Sequence, residues 1–131
     1  MKKALLVLPN GFNFIMGCPD DDILDWARKL IDCDWVEIVR PKRLAKGLVL
    51  LVDEEGLLKE RPSVNVFAST MYETEIHGSP IVGNVIVLAE VMGDEGPELA
   101  GIDAEVAKEI ADAIRDHVDE WAETIKDRLS L

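Results

Sequence analysis

The sequence predicts an α+β fold: a mostly antiparallel sheet of about five or six strands packed against two helices, the second of them long, acidic and C-terminal. Three observations carry this expectation. Short apolar runs bounded by Gly, Pro and Asp recur from residue 1 to about residue 91, the composition of strands and tight connections. Residues 81–91 form a nearly uncharged run rich in β-branched side chains. From Ile102 onward the apolar spacing changes to every third or fourth position. A chain of 131 residues with 48% hydrophobic content can bury one core but divides poorly into two, so residues 1–131 are expected to form a single domain.

The elements follow in order. Met1-Lys2-Lys3 followed by Ala4 to Leu8 imitates a signal peptide, but the apolar run is only five residues before Pro9 and no small-residue cleavage site follows. It reads as a first strand. Pro9-Asn10-Gly11 has turn composition, and large apolar residues at 12, 14 and 16 suit a half-buried second strand, giving a hairpin. Cys18-Pro19-Asp20-Asp21-Asp22 looks like a helix start, because Asp accepts from free first-turn N–H groups and suits the positive end of the helix dipole. That helix should run to about Ile31 with Ile23, Leu24, Ala27, Leu30 and Ile31 inward. The Asp triplet as a cation site is the weaker alternative, since consecutive helical residues point apart.

Trp35 to Arg40 reads as a strand ended by Pro41, and Leu48 to Val52 as one buried on both faces. Asp53-Glu54-Glu55-Gly56 then suits a type I hairpin turn with a left-handed glycine, its carboxylates fanning outward and Leu57-Leu58 opening a fifth strand. Pro62 breaks that strand. Ser63 or Asn65 is placed to cap a short helix through Phe67, Ala68 and Met71, and Asn65 is equally placed as a buried polar anchor. Residues Ile81 to Val91 should lie centrally in the sheet, with Gly83 at a bulge or close approach, and Gly93 to Pro97 should form a loop.

On the last helix, Asp103 to about Leu129, spacing at about 100° per residue puts Ile102, Val106, Ile110, Ile114, Val118, Trp121, Ile125 and Leu129 on one arc, with His117 beside them. Glu105, Glu109, Asp112, Asp116, Asp119, Glu120, Glu123 and Asp127 fall opposite, a stripe about 33 Å long. The net charge is -12, and residues 92–131 hold 12 acids against 4 bases. Such an excess opposes direct binding to nucleic acid or an anionic membrane and favours a basic partner. A solvated helix face explains the stripe as well. The sharper expectation is that carboxylates at about 5.4 Å per turn imitate a phosphate row and dock on a basic protein. Trp121, Ile125 and Leu129 are also candidates for joining two copies into a homodimer.

Candidates for chemistry are few. Cys18 and Cys33 make no disulfide framework and fit a reducing cytoplasm. With His77 and His117 they lack the close pair that a zinc site needs, so no metal is expected. No nucleophile elbow, phosphate loop or dinucleotide fingerprint appears, so neither a cofactor nor an enzyme is expected. The loop holding Arg40, Lys42, Arg43 and Lys46 is the one local reversal of sign, suited either to a phosphate or small anionic nucleotide or to balancing nearby carboxylates.

Several of these segments also recur in order in a known family. Trp35-Val36-Glu37-Ile38-Val39, Val52-Asp53-Glu54-Glu55-Gly56-Leu57-Leu58, Pro62 with Asn65-Val66-Phe67-Ala68, and Ile81-Val82-Gly83-Asn84-Val85-Ile86-Val87 resemble its strand, hairpin, short-helix and central-strand motifs. The opening strand ending in Pro9 fits too. The chain thus resembles domain of unknown function 3846 over about residues 1–91, a family of small phage and mobile-element proteins. The resemblance implies a small α+β domain and a mobile-element setting, with no particular activity; together with the reducing cytoplasm read from the cysteines, this sets the expected location in the cytoplasm of a bacterial host. It marks the long acidic helix as a departure from members that shorten or lack it. The expected role is therefore a non-enzymatic accessory protein that binds a basic host protein, in one version to counter a host defence. The alternative is a small-anion binding module built on loop 40–46.

Overall fold

The computed structural model describes residues 1–130. Strands Lys3–Val7 (β1), Asn13–Gly17 (β2), Val36–Val39 (β3), Leu48–Asp53 (β4), Val85–Gly93 (β5) and Gly96–Ala100 (β6) alternate with helices Ile23–Ile31 (α1), Val66–Met71 (α2), Thr74–His77 (α3) and Ala104–Leu129 (α4). The fold is α+β, and every strand pairing is antiparallel. The sheet runs β2-β1-β5-β4-β3, with β6 also on β5. As its uncharged β-branched composition predicts, β5 is the hub. Its first residues pair with β1 on one side and β4 on the other, and its last five pair with β6.

Strand alternation sorts the core into two layers. Leu5, Val7, Leu50, Val52, Val85 and Val87 face Phe67 and Ala68 of α2 and Ile114 of α4. Ala4, Leu6, Val49, Leu51, Ile86 and Leu88 face Ala27 and Ile31 of α1. The first and last helices therefore cover opposite faces of the sheet.

Asn65 joins these parts. It is fully buried, and its Oδ1 accepts from the N–H of Ala68 at 2.9 Å, capping α2. Its Nδ2 donates to the carbonyls of Val7 at 3.0 Å and Gly83 at 2.9 Å, at the end of β1 and the approach to β5. The cap and the buried anchor are one side chain. Gly11, at φ +96, lets the β1–β2 turn pass under α4: a Cβ there would lie 2.6 Å from Val118 Cγ2.

Several local expectations are corrected. No hairpin follows β4, because residues 56–58 form a 3₁₀ turn that leaves the sheet. Gly56 packs against Val82 with no room for a Cβ and is not left-handed. Leu57 and Leu58, 58% and 80% exposed, find no core to join. Of the carboxylates, Glu54 and Glu55 are exposed, but Asp53 folds back to accept from the Glu55 N–H and pairs with Lys59 Nζ at 3.0 Å. The central strand starts at Val85, not Ile81. Gly83 precedes it as a left-handed turn residue with open space beside it, and marks no bulge or close approach. Residues 93–97 are mostly strand, since β5 and β6 turn tightly at Asp94-Glu95. Asp22 is left-handed and makes no side-chain cap, Leu24 points to solvent, and Phe12 and Phe14 are exposed rather than half-buried. The four-residue α3 has no counterpart in the sequence reading.

Asn65→Ala removes the α2 cap, worth about 1 kcal/mol, and takes a donor from the buried Val7 carbonyl and the half-buried Gly83 carbonyl at about 1–3 kcal/mol. Urea unfolding should show a loss of about 2–4 kcal/mol, and Asn65→Asp, which keeps the acceptor but loses the donors and buries a charge, should recover none of it.

Candidate functional site

The acidic candidates lie on α4 because its other face is held down. Ala107, Ile114 and Ile125 are buried, and the Trp121 ring sits 6.4 Å from that of Phe67. Burial of Ile114 and Ile125 contributes about 1.5–3 kcal/mol each. Like charges one turn apart cost only a few tenths of a kcal/mol per pair. Hydrophobic docking therefore wins, and the carboxylates go outward as a group. Glu105, Glu109, Asp116, Asp119, Glu120, Glu123 and Asp127 are exposed, and Asp112 is half-buried.

Few cations offset them. Lys108 reaches Asp112 at 3.2 Å, while Arg115 reaches Asp112 at 3.3 Å and Asp116 at 3.5 Å. These contacts are exposed and weak. Among the described residues, Glu105, Glu109, Asp119, Glu123 and Asp127 carry no ion pair, and Glu120 has only His117 Nδ1 at 4.0 Å. His117, beside the apolar arc by its angle and so expected to be a core or interface histidine, instead stands in solvent, stacked on Trp121 with ring centroids 5.7 Å apart. Trp121 and Ile125 pack within the molecule.

The loop cations divide two and two. Arg40 Nε and Nη2 grip the Glu90 carboxylate at 2.8 and 2.6 Å. Arg43 pairs with Glu75 and donates to the Thr70 carbonyl at 2.8 Å, tying the loop to α2 and α3. Lys42 and Lys46 are exposed and unpaired among the described residues. Glu75 and Glu90, the partners that sequence reasoning missed, lie 32 and 50 positions along the chain from their arginines, and no local pattern announces them. A shallow cleft of about 550 Å³ adjoins Arg40, Lys42, Lys46 and Glu90. Its one carboxylate opposes an anion there.

Cys18 and Cys33 are separate free thiols. Burial, then Asp20, pushes the Cys18 thiol up; burial, then Asp53, does the same for Cys33. A raised thiol is a poor nucleophile near neutral pH. Among the described residues no three His, Cys, Asp or Glu side chains converge as a cation site, and no helix is long and apolar enough to cross a membrane.

With this geometry in place, the comparisons with known proteins assign the family. Residues 1–115 match the family described as Domain of unknown function (DUF3846), and the chain belongs to it. The match reaches further than residue 91, taking in the first twelve residues of α4 with Glu105, Glu109 and Asp112. Asp116, Asp119, Glu120, Glu123 and Asp127 lie beyond it. No curated protein matches the chain, and no solved structure does.

Arg43→Ala leaves Glu75 without its partner and the Thr70 carbonyl with only the Glu73 N–H, so stability should fall by about 1–2 kcal/mol. Lys42→Ala and Lys46→Ala should each change it by less than about 0.5 kcal/mol, all by urea titration. The hydrogen bond from Arg40 holds the Glu90 carboxyl below its ordinary 4.5. A carboxyl depressed in the folded state stabilises above its unfolded value, and that stabilisation fades as acid titrates the folded group. The small gap in unfolding midpoint between the wild type and Glu90→Gln should therefore hold from neutral pH down to 4.5 and close below it.

Proposed function

We propose that this protein is a non-enzymatic binding module of phage or mobile-element origin that docks on a basic surface of a host protein through the outer face of α4. The observation that carries the reading is the band of exposed carboxylates at one-turn spacing, most of them without a cation. A rigid helix fixes the spacing before binding, which lowers the ordering cost of association. A row of charge also steers a basic partner during encounter. Its likeness in spacing to a phosphate row makes a nucleic-acid-binding protein the natural target class, with blockade of a defence protein as one outcome. The cytoplasm of the bacterial host is the setting that fits. The anion-binding alternative has less support, because Arg40 and Arg43 are already engaged by Glu90 and Glu75.

A pulldown from bacterial lysate tests the reading. The wild type should retain a protein at low salt and release it near 1 M salt, where the screening length falls to about 3 Å. Duplex DNA should compete. The variant Asp116→Asn, Asp119→Asn, Glu120→Gln, Glu123→Gln should retain nothing. Equal retention by that variant, or indifference to salt, would end the proposal.

A further inference from the structure

Along an antiparallel strand, alternate residues exchange hydrogen bonds with one neighbour while those between face the other way. Two bonds fix this phase for β2. The N–H of Leu8 donates to the Phe12 carbonyl at 2.8 Å, and the N–H of Cys18 to the Lys2 carbonyl at 3.0 Å. With Leu6 opposite Phe14 and Ala4 opposite Met16, the even-numbered residues face β1. Lys3, opposite Gly17, agrees: it exchanges both of its bonds with Ile102 on the other side of β1. The N–H and C=O groups of Asn13, Ile15 and Gly17 therefore point outward, along an edge that no other strand pairs.

Sheet edges are ordinarily blunted by a charge, a proline or a bulge. β2 reads NFIMG and has no charge and no proline. Phe14 and Ile15 are 52% and 45% exposed on it. The other strands with a single partner are blunted: β3 carries Glu37 and runs into Pro41, and β6 carries Pro97 and Glu98. Beside β2, a cleft of about 560 Å³ separates the hairpin from α4, with Phe12 and Phe14 on one wall and Asp112, Arg115, Val118 and Asp119 on the other. Arg115 is drawn to Asp112 and Asp116, and Asp119 has no ion pair among the described residues. An apolar, unblunted edge thus lies against the acidic helix.

We infer that β2 is a docking edge that takes an extended, basic segment of a partner protein as a seventh strand. Backbone bonds to Asn13, Ile15 and Gly17 hold the segment, its apolar side chains lie along Phe14 on the face away from α4, and on the face of Ile15 and α4 its Lys or Arg side chains reach Asp119 and the neighbouring carboxylates. A second copy of this chain is the poorer occupant, because each brings a net charge of -12 to the contact. The inference rests on the acidic-face reading for the sign of the partner and adds where and in what backbone form it binds.

Fluorescence anisotropy with a labelled, end-capped peptide of alternating valine and lysine, about seven residues long, tests it on the intact protein. Binding should weaken with salt. Full N-methylation of the peptide, which removes its amide donors but keeps its charge, should weaken it about tenfold or more, one full step on the affinity scale. Ile15→Pro should do the same, since that N–H points outward and bonds to nothing among the described residues. Circular dichroism checks the fold of that variant, and if it unfolds the methylated peptide decides alone. Equal binding of the methylated peptide overturns the docking edge while leaving the acidic-face reading its salt dependence. No binding of the parent peptide, or a dimer in sedimentation that Ile15→Pro dissociates, also overturns it. Loss of salt dependence with the edge effect intact removes the acidic-face reading instead.

Discussion

Five hydrogen bonds converge on residue 65, and the arrangement of both helical layers depends on them. The Asn65 side chain holds the end of β1, the approach to β5 and the first turn of α2, while its backbone donates to Ile81 and accepts from Ser69. An amide with both donors and its acceptor satisfied in a dry interior is rigid, because every alternative orientation leaves a buried group unpaired. That rigidity places Phe67, Phe67 receives Trp121, and Trp121 sets the rotation of α4. The cap of α2 thus helps orient the face on which α4 is held by Ala107, Ile114 and Ile125, and with it the direction of the carboxylates.

Charge in this molecule is arranged by two separate rules. Within the body, arginines meet carboxylates from distant segments and are consumed as structural ties, as Arg40 with Glu90 and Arg43 with Glu75. On α4 the carboxylates outnumber their cations two to one, and among the described residues most of them meet no cation. A charge left unanswered over many turns costs little in water, but it produces a field that extends beyond the surface. The same residue type therefore serves cohesion in one half and outward reach in the other.

How much of this is legible in the sequence depends on distance along the chain. α4 is readable because 26 residues give a period time to repeat, and β5 because its composition fits one environment only. Asn65 is readable in both its roles. The pairings of Arg40 and Arg43 are not, since their partners arrive from segments with no local relation to the loop. Leu57-Leu58 imitates a strand until the packing of Gly56 under Val82 turns the chain away, a tertiary effect that overrides local pattern. β6 is hidden by Pro97, which demotes a strand unless it sits at an edge. His117 falls beside the apolar arc by angle, yet it stands exposed against Trp121, because a position at the margin of an arc is settled by packing rather than by period. The acidic face is readable from spacing; the free edge of β2 is not, because edge or centre is a property of the finished sheet.

The position of β5 in the order of synthesis has its own consequence. β1 and β4 bond to β5 and never to each other, so the strand that unites them leaves the ribosome only after some eighty residues are already out. Until then the β1–β2 and β3–β4 pairs exist as separate ribbons, and two-stranded ribbons are marginal in water. Lys3 waits longer still, for Ile102. The apolar strands β1 and β4 therefore lack their shared partner until β5 has been made, and the sheet closes through its most distant segments rather than its neighbouring ones.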